Sequence, residues 1–294
     1  MDVPALRRPL SASDDRTTLL VATGVLLVIA GGVAALIALF TVVGVVLGAA
    51  GVHHIHRAAL APLLPALLPP ALLLAVGVGL IRLRRWARSL GLVVGGAWLL
   101  AGAQLFVGLA VALHDIPMYG GPQLFGAGLL VVIPFGIVAP GLVVALLARR
   151  DVARTLEARD LARRRVTDGI PLAALALAFM TATAALWFVE LALVGHELPL
   201  PAGVLSSPNA AAVGHLLLAA IALVAATGIA RGITLPIWIS LLVTLGYGGL
   251  WLERAVSAPS RFPFVYLASL MALTLALHVV AARALLLQRR RISV

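Results

Sequence analysis

Long apolar runs alternate with short charged or proline- and glycine-rich breaks along almost the whole chain. Runs of span length fall at roughly 18–48, 60–81, 89–113, 124–148, 170–194, 211–230, 233–252 and 263–287. Each contains or nearly reaches the ~20 residues a helix needs to cross a ~30 Å hydrocarbon layer. The pattern predicts an all-α, polytopic transmembrane helix bundle of about eight spans. The first run holds ~30 apolar residues, a helix of about 45 Å, so it has to tilt, bend or project beyond the layer. Gly31-Gly32 is the expected bend, and Gly44 with Gly48 the expected small-residue contact face. Pro62, Pro65, Pro69 and Pro70 are expected to kink or unwind the start of the second run, and Pro134 and Pro140 to kink the fourth.

The breaks supply an orientation. With alternate connections on opposite sides, one side receives Arg7, Arg8, Arg16, Arg82, Arg84, Arg85, Arg88, Arg149, Arg150, Arg154, Arg159, Arg163, Arg164, Arg165, Arg231, Arg283, Arg289, Arg290 and Arg291. That is 19 of the 22 basic residues; only Arg57, Arg254 and Arg261 fall opposite. Arginine accumulates on the cytoplasmic side of a membrane, so both termini are expected there. A seven-span or nine-span count destroys this segregation. The first run is also far longer than the apolar region of a signal peptide, and reads as a retained span.

Composition narrows the class further. Hydrophobic residues make up 62% of the chain and charged residues 11%, and the mean hydropathy is +1.11. A soluble core cannot absorb that much apolar surface. Lysine is absent, and the bias toward Ala, Gly, Arg and Pro fits GC-rich coding, hence a bacterial inner membrane. A net charge of +11 on a soluble face would point to nucleic acid, but here the arginines cluster between apolar runs, so no nucleic-acid partner is expected. The absence of cysteine excludes disulfides, thiolate metal sites and cysteine nucleophiles.

Two short matches suggest tandem halves. Gly79-Leu-Ile-Arg82 closes the second run as Gly228-Ile-Ala-Arg231 closes the sixth; Gly95-Gly-Ala-Trp98 in the third matches Gly248-Gly-Leu-Trp251 in the seventh. The division is 1–148 as a first four-helix unit, 149–168 as a basic cytoplasmic linker and 169–294 as a second unit. The linker, RRDVARTLEARDLARRRVTD, reads as a solvated helix with local pairs from Asp151 to Arg154 and from Asp160 to Arg163 or Arg164. Anionic lipid at the cytoplasmic face is its natural contact. The stretch from Gly79 to Arg88 resembles an Arg-Trp-Ala-Arg turn common in bacterial multi-span proteins, a likeness that implies topology and no function. Its Arg82, Arg84, Arg85 and Arg88 are expected at lipid headgroups.

Candidate chemistry gathers at the opposite, outer face. His53, His54, His56 and His114 form a candidate metal set, and Glu190, His196, His215 and Glu253 a candidate polar site. Glu190 is the foremost single candidate. His278 is the one histidine deep in a span, where a hydrogen bond to a neighbouring helix is expected. Gln104, Thr181, Thr183, Ser240, Thr244, Tyr247, Ser269 and Thr274 read as packing contacts. No nucleophile–base pair, phosphate loop or metalloprotease spacing is present, and neither enzymatic activity nor a cofactor is expected. The leading expectation is a non-enzymatic membrane subunit packing with partner proteins or lipids. Two alternatives stay open: a transporter of a small or lipophilic solute, and an outer-face metal or redox protein.

Overall fold

The computed structural model describes residues 15–50, 63–115, 129–130, 132–160, 170–194, 208–256 and 262–292. All regular structure among them is helical: α1 (Thr17–Ala50), α2 (Leu63–Ile81), α3 (Arg85–Asp115), a π-helical stretch (Val132–Val138) running into α4 (Ala139–Ala148), α5 (Arg150–Arg159), α6 (Leu172–Val194), α7 (Pro208–Ala230), α8 (Leu235–Val256) and α9 (Phe262–Ile292). The chain is an all-α polytopic bundle, as expected, and among the described residues the count of full-length spans is slightly below eight. Six helices (α1, α3, α6, α7, α8 and α9) are each long and apolar enough to cross a membrane. In the other two runs the described apolar helices are shorter: Leu67–Ile81 in α2, and Val132–Ala148, which bends by 64° into α5. Counting that bent pair as one span gives seven.

The outer surface of the bundle is apolar. Leu26, Phe40, Leu130, Leu242 and Val279 are each exposed by 66% or more. Such a surface is stable only against hydrocarbon, where helices satisfy their own backbone groups.

Inside, helices adjacent in sequence pair: α1 with α2 and α6 with α7 most extensively, then α3 with α4 and α8 with α9. One core joins Leu20, Leu73, Leu80, Leu147 and Leu156 of α1, α2, α4 and α5. A second joins Leu177, Ile229, Ile237 and Leu285 of α6 to α9, and a third centres on Phe188 and Tyr247. Helix α3 crosses between the two sets by packing on α6 and α9.

Glycine decides the tightest pairing. A Cβ on Gly24 would lie 2.8 Å from the Gly77 carbonyl oxygen, and one on Gly77 would lie 2.7 Å from the Gly24 oxygen, so only hydrogen lets these backbones meet. Gly31 serves the same interface, its Cβ position 3.0 Å from the Leu74 nitrogen. Gly31 is thus a packing contact within a helix that runs unbroken for 34 residues. Among the described residues Gly44 meets nothing within 4 Å, and the surroundings of Gly48 lie outside that description. Nor do Pro69 and Pro70 break α2. Pro134 instead sits in the π-helical stretch, where a widened turn accommodates the missing N–H.

Two turns at the arginine-bearing end are built alike. In the first, Leu83 N–H donates to the Leu80 carbonyl and Arg84 N–H to that of Gly79; in the second, Gly232 donates to Ile229 and Ile233 to Gly228. This is the paired helix-ending geometry that requires a left-handed residue after the last turn. Gly232 supplies it with φ 76° and Leu83 with φ 50°.

Candidate functional site

Between the two sets of helices, α3, α6 and α7 leave a cleft of about 390 Å³, within the range that holds a small organic ligand. It is open because α6 and α7 present small side chains to it: Ala178, Ala182, Ala226 and Ala230. Trp86, Leu90, Phe179 and Leu223 form the larger walls, and the hydroxyls are those of Ser89 and Thr227. No charged residue lines it among the described residues. Trp86, Ser89, Leu175, Thr227 and Ala230 lie near helix ends on the arginine-bearing side, while Val93 and Ala182 lie eight and ten residues into their helices. At ~1.5 Å per residue the cleft reaches about 12–15 Å into the bundle.

Beside the cleft, the arginine-rich turn and linker form one ionic layer. Helix α5 is not simply solvated: Val152, Thr155 and Leu156 are buried against the bundle. Asp151 does not make the local pair expected with Arg154 among the described residues. Asp151 is bound by Arg16 Nε at 2.8 Å and by Arg149 at 3.0 Å. Asp160, 6% exposed, accepts from the Arg84 guanidinium at 3.1 Å and from the Arg85 backbone N–H at 2.9 Å. Arg163 and Arg164 lie outside the described residues. Arg159 in turn binds Asp15 at 2.6 Å, and the Arg16 N–H donates to the Thr155 hydroxyl at 3.1 Å. Hydrogen bonds from the Thr17 hydroxyl and from Arg159 hold the Asp15 carboxyl down from 3.8 to about 2. Those from Arg16 and Arg149 hold Asp151 lower still.

Of the arginines expected at headgroups, three are engaged by protein: Arg84 and Arg85 by Asp160, and Arg88 through an Nε–H donated to the Leu147 carbonyl at 2.8 Å. Arg82 is exposed and has no acidic partner among the described residues.

Deeper in the bundle lies a buried polar chain across three helices. The Thr181 and Ser240 hydroxyls are 3.0 Å apart, and Ser240 Oγ is 3.1 Å from His278 Nε2. His278 Nδ1 lies 2.7 Å from the Thr274 carbonyl, which can only accept, so Nδ1 carries the proton. The hydrogen bond expected of His278 is thus made, to α8. Thr181, Ser240 and His278 are all nearly inaccessible, and each lies where an unpaired polar group would be costly.

The candidate residues at the opposite end are distributed as follows. His215 is fully buried, its Nε2 3.1 Å from the Tyr247 hydroxyl. Tyr247 sits edge-on to Phe188 with centroids 4.9 Å apart and to Trp187 at 5.9 Å, and Arg254 lies over Trp251 at 5.8 Å. Glu190, half-buried, shares α6 with this aromatic cluster, and Glu253 is exposed on α8. His114 falls on α3; His53, His54, His56 and His196 lie outside the described residues. Among the described residues no group of three or more His, Asp or Glu side chains could hold a metal ion. The aromatic surround of His215 escaped sequence reading, although Trp187, Phe188, Tyr247 and Trp251 at helical spacing were its signal. The cleft had no signal, being the space left between helices. Compared with known proteins, the chain matches no protein-family model, no curated protein and no solved structure.

Proposed function

We propose that this chain is a non-enzymatic, multi-spanning subunit of a bacterial inner membrane that holds a lipophilic molecule in the cleft between its two sets of helices. The cleft carries this reading: it is of ligand size, apolar, and free of charged lining residues among those described. A membrane-facing site of that composition selects hydrocarbon over polar solutes. The segregation of arginines supports an orientation with both termini cytoplasmic. The two like-built turns, ending at Arg84 and Ile233, support a tandem pair of four-helix units joined by α5 and its continuation.

Native mass spectrometry of the detergent-purified chain tests the proposal. A lipid-sized adduct should survive on the wild type and be lost from Ala182→Phe, which fills the cleft. A sharp monomer with no adduct and no copurifying protein would overturn it. A transporter of a lipophilic solute is the second reading, favoured by the position of the cleft between helix sets; gradient-driven uptake into proteoliposomes distinguishes it from static holding.

A further inference from the structure

We infer that the cleft takes an anionic phospholipid from the leaflet at the arginine-bearing end, with its acyl chain between α3, α6 and α7 and its headgroup at Arg231. The inference rests on the proposal that the cleft holds a lipophile, and adds the ligand class and the residue that selects it.

Three observations converge. The depth of about 12–15 Å equals half of a ~30 Å hydrocarbon layer, the reach of one leaflet. The polar lining is placed toward one end: Ser89 lies in the second turn of α3 and Thr227 in the last turn of α7, while Val93, Ala182 and Leu223 farther in are apolar. A tryptophan, Trp86, stands at the same end, the depth at which indoles meet headgroups.

Charge then decides the headgroup. Arg231 directly follows the lining residue Ala230, is exposed, and has no acidic partner among the described residues. Among the described acids of this end, Asp15 is bound by Arg159, Asp151 by Arg16 and Arg149, and Asp160 by Arg84 and Arg85, while Glu157 is exposed on α5. Positive charge is therefore left over beside the cleft, and an anionic phosphate lowers its energy where a zwitterionic headgroup does so less. Arg82, at the matching place in the other like-built turn and four residues before Trp86, adds to the same field.

The test is competition between phosphatidylglycerol and phosphatidylcholine of identical acyl chains, read by native mass spectrometry on the full chain. Wild type should retain phosphatidylglycerol preferentially. Arg231→Gln should lower that preference about fivefold, the factor set by one basic residue at a membrane surface, and Arg231→Lys should largely restore it. Arg154→Gln, the same charge change on α5, should leave it intact. Equal retention of both lipids, or an equal loss in Arg154→Gln, overturns the headgroup assignment while leaving the cleft as a lipid site. Retention of neither lipid overturns both proposals. Ala182→Phe should abolish retention of both lipids, and unchanged retention in that variant places them elsewhere and overturns the site.

Discussion

Removing the Asp160 carboxylate should undock α5 from the bundle. The group is 6% exposed and receives the Arg84 guanidinium at 3.1 Å and the Arg85 N–H at 2.9 Å, with Arg85 Nε 3.5 Å away. It therefore both neutralises the turn and caps the first turn of α3. Truncating one partner of a buried ion pair costs ~3–5 kcal/mol. Here the Arg84 and Arg85 side chains are 41% and 19% exposed, so water compensates part of the loss, and about 2–3 kcal/mol remains for Asp160→Ala. Opening of α5 is local, so the effect should appear first as tryptic cleavage after Arg154 or Arg159. That rate tracks the open population and should rise about thirty-fold or more. Asp160→Asn should fall between, because the amide oxygen still accepts from the Arg85 N–H. Cleavage of Asp160→Ala at the wild-type rate, with an unchanged Tm, would refute the docking role of this carboxylate.

Further outcomes follow from single contacts. Asp15 and Asp151 have depressed folded-state pKa values, so the stability they contribute is present above the usual 3.8 and is lost as pH falls. For Asp15 that window runs from 3.8 to about 2, and Tm measured across it should drop more in the wild type than in a doubly substituted Asp15→Asn, Asp151→Asn chain. Gly77→Ala would place a methyl 2.7 Å from the Gly24 oxygen and 2.8 Å from Val28 Cγ2, forcing α1 and α2 apart at about 1–3 kcal/mol. Gly32→Ala, with nothing within 4 Å, should leave Tm unchanged or raise it slightly. Ser240→Ala removes the bridge between Thr181 and His278 and should destabilise by about 1–3 kcal/mol; Thr183→Ala, an exposed hydroxyl bonded only to the Phe179 carbonyl, should be silent. Equal shifts for the two hydroxyl deletions would show that burial of the chain contributes nothing.

The helices were legible one at a time because hydrocarbon leaves a backbone little choice. A run of ~20 apolar residues must pair its own N–H and C=O groups, and composition alone announces that. Spans at 170–194 and 211–230 correspond closely to α6 and α7. For the second and fourth runs the described helices are shorter than a full span, and residues 51–62 and 116–128 beside them lie outside the described residues. The glycines show the same divide. Gly31 and Gly44 look alike in sequence, yet one is packed on α2 and the other meets nothing within 4 Å among the described residues.

Charge was legible as segregation and illegible as pairing. The clustering of arginine at one end follows from the cost of moving charge through the layer, which acts on every residue separately. Which acid each arginine meets depends on where α5 docks. Spacing alone suggested a partner one turn away for Asp151, whereas docking supplied Arg16, and docking also brought Arg84 and Arg85 to Asp160; Val152 and Leu156, four residues apart on one face, carried the hint. The sequence by itself determined a basic-ended bundle of apolar helices, because those properties belong to residues and short segments. The tertiary structure alone decided the ionic layer, the Thr181–Ser240–His278 chain and the cleft, because each exists only in the distances between helices far apart in the chain.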